Sequence, residues 1–252
     1  MKTGVLVRSL LDFFFPRFCA GCGQSLALGE QLLCPSCILS LPWEHYYDWE
    51  HSWPMTFVDR HPVLQRAGAL MRYTRGNIAA HIIHQLKYHH QYELGQWMGR
   101  LAVRQLKDTS LFDGVDTIVP IPLTVRRRHS RGFNQSELIA QGMADELKIK
   151  VLPHALRRIR DNESQTHFRF DDRLLNALDI FDLDEQSIQD LKGHHVMVID
   201  DVMTTGRTMF SAIEQLERIP DIRLTIFAWA WVPHPESSQL WAIKTAFEGE
   251  MK

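Results

Sequence analysis

The stretch VMVIDDVMTTGRT, residues 196–208, constrains the fold of this chain more than any other. Its unbroken apolar start, with His195 before it, reads as a strand buried on both faces, as strands of parallel sheets are. Two carboxylates, Asp200 and Asp201, stand at the end of that run. Thr204, Thr205, Gly206, Arg207 and Thr208 follow at once, and Met209, Ile213 and Leu216 then recur at helical spacing. A strand, a short polar loop and a helix are the first part of a βαβ unit. In such sheets ligands sit beyond the carboxyl ends of the strands, where these residues fall.

The loop has the chemistry of an anion cradle. Amides at a helix N-terminus converge on negative charge, Gly206 allows close approach, and threonine hydroxyls add donors. No GxxxxGK[ST] lysine is present, so it is not a Walker loop. Carboxylates beside a phosphate repel it unless they accept hydrogen bonds from hydroxyls. A ribose 5-phosphate satisfies both halves, with its diol on Asp200 and Asp201 and its phosphate in the loop. An ordinary capped strand-to-helix turn accounts for one or two of these residues, not for the set.

The rest of the chain alternates in the same way. AGALMRYT (67–74) reads as a strand, and NIAAHIIHQLKYHH places Ile78, Ile82 and Leu86 on one helical face. A second helix is expected over 93–107. A strand at DTIVPIP (116–122), a helix over 133–147 starting near Asn134 or Ser136, and a strand at KIKVL follow. The arginine-rich stretch 157–173 breaks the periodicity and reads as a polar excursion. LTIFAWAW (224–231) is the next strand. Strands alternating with helices predict an α/β fold with a doubly wound, mostly parallel sheet. The expected organisation is an N-terminal module and aromatic linker over 1–55, the α/β domain over 56–235, and a tail over 236–252.

All four cysteines lie in the N-terminal module, as Cys19-x2-Cys22 and Cys34-x2-Cys37. Two such knuckles supply the four soft ligands of a tetrahedral zinc and leave no cysteine over. A closed set of four thiolates has no open coordination position, so the expected zinc is structural. Four reduced, metal-free thiols are the alternative.

Net charge is −2, so any basic surface is local. The 13 histidines form no HExxH pair. Arg8 and Asp12 interrupt the apolar start of the chain, which argues against an export signal, and no stretch reaches the roughly 18 apolar residues of a membrane span. The expected compartment is the cytoplasm.

VMVIDDVMTTGRT resembles the phosphoribosyl pyrophosphate (PRPP) motif of type I phosphoribosyltransferases. RRRHSRGFNQSELIA (126–140), with its RGFNQ, resembles the hallmark of the ComF/GntX family, and HQLKY (84–88) and the cysteine knuckles are similar to that family too. The likeness runs from about residue 17 to 232. It implies a type I phosphoribosyltransferase-like sheet that binds PRPP with Mg2+ through Asp200, Asp201, Thr204, Thr205, Gly206, Arg207 and Thr208. Arg126, Arg127, Arg128 and Arg131 are then candidates for the pyrophosphate, with a nucleic-acid patch or a solvated basic run as alternatives. Residues 157–173 are similar to a flap element, RxRxTxxQT. Arg158, Arg160, Gln165 and Thr166 match it, while Asn162 replaces a threonine. Lys87 is a further candidate. No catalytic base or acceptor pocket is legible. The resemblance implies a role in competence and DNA uptake or in nucleotide metabolism, with single-stranded DNA and other competence proteins as partners. The competing reading is a DNA-binding competence factor that uses PRPP as ligand or regulator without turnover.

Overall fold

The computed structural model describes residues 16–44, 61–88, 91–159 and 180–233. Residues 1–15, most of the aromatic stretch 41–54, the flap residues Arg160, Asn162, Gln165 and Thr166, and the expected tail over 236–252 lie outside them. Five strands form one sheet, every pairing parallel: β1 (Leu64–Arg72), β7 (Arg223–Trp231), β6 (His195–Met203), β2 (Thr117–Pro120) and β3 (Lys150–Val151), in that spatial order. Among the described residues the α-helices are α1 (Pro35–Leu39), α2 (Ile78–Tyr88), α3 (Tyr92–Leu106), α4 (Val125–Arg131), α5 (Gln135–Leu147), α6 (Glu185–Leu191) and α7 (Arg207–Leu216). A two-stranded antiparallel ribbon joins β4 (Leu156–Arg158) to β5 (Phe181–Leu183).

The winding follows from alternation in the strands. On β6, Met197 and Ile199 enter one core layer with Ile82, Leu86, Met98, Ile139 and Met143 of α2, α3 and α5. Val196 and Val198 enter the other with Met209, Ile213 and Leu216 of α7 and with Leu156 and Phe181 of the ribbon. Successive side chains of a strand point to opposite faces, so one apolar run feeds both layers. The β2–α5–β3 crossover therefore runs outward on one face and β6–α7–β7 runs outward on the other. Their origins, β2 and β6, are neighbours, and the crevice between their carboxyl ends is the topological switch point.

Several elements differ from the sequence expectation. The strand predicted at 195–199 continues to Met203, so both acids lie within it, because its pairing with β7 persists to Met203↔Trp231. The arginine run, to which the sequence assigns no element, is helix α4. Thr124 caps it by accepting from the Arg127 amide at 3.2 Å, and Gly132 ends it at φ 74°. The polar excursion begins later than expected, since Arg157 and Arg158 pair with Asp182 and Phe181 in the ribbon. That ribbon and α6 carried too little periodicity to be foreseen.

At the opposite end of the sheet His195 is 2 % exposed and its Nε2 lies 2.9 Å from Thr225 Oγ1. Burial holds its pKa below the usual value, and the charges of Arg223 and Arg66 add to this. A base depressed in the folded state stays neutral there while the unfolded chain takes a proton. Its contribution is complete above about pH 6.5 and is lost as pH falls from there through the depressed folded value. Stability is expected to fall in that window with an added slope of up to about 1.4 kcal/mol per pH unit. Urea titrations of the wild type and His195→Gln check this: the variant's pH slope should be flatter, and equal slopes would contradict it.

Candidate functional site

The switch point gathers side chains from three separate motifs. Asp201, on β6, is 8 % exposed. Its Oδ1 accepts from the Val202 amide at 2.8 Å, and its Oδ2 lies 2.7 Å from Nζ of Lys87, the last-turn lysine of α2. Asp200 is half-buried. Its Oδ1 accepts from Ser136 Oγ at 3.0 Å and from the Asp201 amide at 2.8 Å. Burial pushes the Asp200 carboxyl up to about 7, helped by the neighbouring Asp201 charge, and the Asp201 amide, Lys87 and Ser136 offset only part of this.

Beyond the acids the chain turns through Thr204 and Thr205, both exposed, to Gly206 at φ 76°. Gly206 is the residue before α7, and its carbonyl accepts from the Phe210 amide at 2.8 Å. This is a left-handed turn that glycine adopts without strain. The first amides of α7, at Arg207 and Thr208, then lack helical carbonyl partners and carry the positive end of the helix dipole. Arg207 and Thr208 are half-buried.

The other wall grows from β2. Its pairing with β6 runs on past the strand as Ile121 N donates to Ile199 O, and Asn134 Nδ2 donates to Ile121 O at 3.0 Å. The Asn134 side chain also caps α5 by accepting from the Ser136 amide. Each residue of RGFNQ thus has a place. Arg131 donates to Gln135 Oε1 at 2.9 Å and lies over the Tyr88 ring, 5.8 Å from its centroid. Gly132 stops α4, Phe133 is buried against the Tyr92 ring, and Gln135 is buried at the start of α5. RGFNQ and HQLKY, far apart in sequence, are adjacent in space.

Arg126, Arg127 and Arg128 are exposed on α4, just beyond the carboxyl end of β2, with Arg128 4.0 Å from Glu137. Arg158 sits on β4 with its guanidinium 5.5 Å from the Phe181 ring centroid. The ribbon rests on α7, where the Ile180 amide donates to Ser211 Oγ at 3.3 Å. Ser136, Tyr88 and the second bond of Asn134 were not found by sequence reasoning. Ser136 sits five residues after Arg131, the hallmark arginine of RGFNQ, and no pattern marks a helix-start serine as a carboxylate donor.

A second cluster lies in the N-terminal module. The four Sγ atoms of Cys19, Cys22, Cys34 and Cys37 all lie within 4.8 Å of one another, with Cys22 and Cys34 3.9 Å apart. A tetrahedron of thiolates around zinc has edges of about 3.8 Å, so this set could hold a metal ion. Burial opposes ionisation of Cys19, yet amides of Cys34, Cys22 and Gly21 outweigh it and bring its thiol down to about 7. Burial pushes the Cys37 thiol up. Gly21 is obligatory here, since a Cβ would sit 2.8 Å from Cys37 Sγ. The module is no appendage in packing terms: Cys19, Leu26, Leu33, Cys37 and Leu41 belong to the same core layer as α2 and α3.

Residues 102–220 match the family model described as phosphoribosyl transferase domain. The chain is 30 % identical over 220 residues to the DNA utilization protein YhgH of Escherichia coli (strain K12), covering 81 % of this chain and 92 % of that protein. It is 29 % identical over 141 residues to competence protein F of Haemophilus influenzae, 55 % of this chain and 61 % of that one. Competence protein ComFC of Bacillus subtilis (strain 168) is 38 % identical over 95 residues, 38 % of this chain and 35 % of its own. Among the described residues no helix is long and apolar enough to cross a membrane.

Proposed function

Because the chain belongs to the ComF family of phosphoribosyl transferase-domain proteins, we propose that its switch-point crevice binds PRPP with Mg2+ and supports chemistry at the ribose anomeric carbon. The observation that carries this reading is the paired acids of β6 running directly into a glycine-turned helix N-terminus at the switch point. In it the ribose diol meets the Asp200–Asp201 pair, and the 5-phosphate sits among Thr204, Thr205, Gly206, Arg207 and Thr208. Arg126, Arg127, Arg128 and Arg131 face the pyrophosphate, whose charge grows as it leaves, so planar guanidinium groups suit it. Arg158, Arg160 and Gln165 belong to the flap in this reading. Both acids already accept hydrogen bonds or an ion pair from the protein, which leaves Mg2+ to be held through ligand oxygens and water. When bound, that ion supplies charge neutralisation on the pyrophosphate. In the N-terminal module the metal is zinc, in a structural role.

Calorimetry with PRPP and Mg2+ tests the reading at its first step. Binding is expected, and Thr205→Val should weaken it roughly tenfold by removing one hydroxyl donor to a phosphate. Absence of binding in the wild type sinks the reading. Pyrophosphate release measured across nucleobases, amines and single-stranded DNA then separates an enzyme from a binding protein and names the acceptor class.

A second reading, handling of single-stranded DNA in the cytoplasm, draws on the names of the relatives and on one surface. Tyr88 is 59 % exposed and Tyr92 49 %, beside Arg131, which offers ring faces for stacking next to a phosphate-binding cation. Affinity that falls steeply with salt is its expected signature.

A further inference from the structure

We propose that Lys87 divides the acid pair: its ammonium occupies Asp201 and leaves Asp200 alone to take the ribose diol, and the four-cysteine module fixes that ammonium through α2. The inference rests on the ribose 5-phosphate reading of the crevice and assigns different tasks to two residues that the motif presents as equals.

The two carboxylates are unequal in the fold. Asp201 has both oxygens engaged, Oδ1 by the Val202 amide and Oδ2 by Lys87 at 2.7 Å, and its side chain is 12 % exposed. A sugar hydroxyl would have to displace an ammonium from a largely dry site. Asp200 spends a single oxygen: Oδ1 takes both Ser136 Oγ and the Asp201 amide, and no donor among the described residues meets its Oδ2. A carboxylate clamped at one oxygen and open at the other is oriented for a ligand. Asp201, engaged by the amide after it and by Lys87, holds the strand end from which the loop departs.

Lys87 is aimed by a rigid path. At its start α2 leans on the cysteine module: His81 Nδ1 lies 3.0 Å from Gly21 O, and a Cβ at Gly21 would meet Cys37 Sγ at 2.8 Å and Ile78 at 3.2 Å. Ile82 and Leu86 lie in the core at 0 % exposure and prevent rotation of the helix. Six residues beyond His81, about 9 Å at 1.5 Å per residue, its last turn delivers Lys87 to Asp201 and Tyr88 to Arg131. Lys87 is thus a positioning residue. Its ammonium is the positive charge that lowers the Asp200 carboxyl, against the neighbouring Asp201 that raises it. Around the pair, α5 contributes the neutral Ser136 hydroxyl and β7 places Ala228 opposite Asp200, so Lys87, Asp200 and Asp201 are the groups whose charges matter.

The test is calorimetry with ribose 5-phosphate as probe across the neutral pH range. Wild-type affinity is expected to fall as pH drops through about 7, where Asp200 takes up a proton. Lys87→Met should move that midpoint up by about one unit and weaken binding roughly tenfold at neutral pH, while Lys87→Arg keeps the wild-type profile. Asp200→Asn should lose binding at every pH. Asp201→Asn should weaken binding less than Asp200→Asn does and shift the midpoint down, since the like charge is gone. Metal chelation should reproduce the Lys87→Met shift in the wild type and add nothing in Lys87→Met. Equal losses in Asp200→Asn and Asp201→Asn overturn the division of the pair, as does an unchanged profile in Lys87→Met. A midpoint indifferent to chelation overturns the link to the cysteine module. No ribose 5-phosphate affinity in the wild type removes this inference together with the reading beneath it, a result distinct from the others.

Discussion

Gly142→Ala is expected to cost the folded chain at least about 3 kcal/mol, and Gly142→Val to prevent stable folding. A Cβ at position 142 would sit 2.0 Å from the Gln96 carbonyl oxygen, and one at Gly99 would sit 2.1 Å from that of Ile139. Helices α3 and α5 therefore touch backbone to backbone at this crossing. Gly95 repeats the arrangement one turn earlier, where a Cβ would meet Leu138 Cβ at 2.5 Å. No flexible side chain can yield at Gly142, because the obstacle is main chain, so the whole helix must shift. Alanine's better helix propensity returns only about 1 kcal/mol. The consequence reaches the site, since α5 begins with the Asn134 cap and with Ser136, which bonds Asp200. Urea denaturation measures the effect, with the exposed neighbour Gln141→Ala as a control expected within about 0.5 kcal/mol. A Gly142→Ala midpoint equal to wild type would show that the helices do not meet as closely as described.

The second large effect is expected from metal removal. Freshly purified protein should carry about one zinc per chain, and a chelator should lower the melting temperature by roughly 10 °C. The reasoning is electrostatic as well as geometric. Four sulfurs within 4.8 Å cannot all ionise without a cation, and burial already pushes the Cys37 thiol up. Loss of the ion leaves crowded thiols and releases the turn around Gly21. The damage does not stay local, because Leu26, Leu33 and Leu41 share a core layer with Ile82 and Leu86. Acidification should release the metal in the same way, as protons compete for the thiolates. Cys37→Ser should mimic chelation and become insensitive to it. Protein with about zero zinc and an unchanged melting temperature would end this account.

The strand-and-loop grammar of this chain was legible because it is local. An apolar run that feeds two core layers, as Val196 to Ile199 do, has no other comfortable environment than a doubly covered sheet. Two CxxC pairs with no spare cysteine need only short turns to bring four sulfurs together, and the structure does so. Helix α4 was less legible: its cap at Thr124 and stop at Gly132 are ordinary signals, but the charged run between them buries no residue and carries no apolar periodicity. The ribbon strand Phe181–Leu183 is three residues long, too short for any periodicity to register.

What the sequence determined by itself is the chemistry available: paired acids before a threonine–glycine turn, arginines after an earlier strand, and a thiol set for one metal. What only the tertiary structure decided is which of these groups meet. Lys87 and Asp201 are 114 positions apart, Ser136 and Asp200 are 64, and neither pair leaves a mark in local pattern. The sheet's winding brings α2 and α5 onto the face above β6, and a close glycine crossing holds α5 backbone to backbone against α3. Local sequence specifies dihedrals and burial, which propagate over a few residues. Contact between distant side chains depends on the packing of whole elements, and there the two acids, alike in the sequence, acquire different partners.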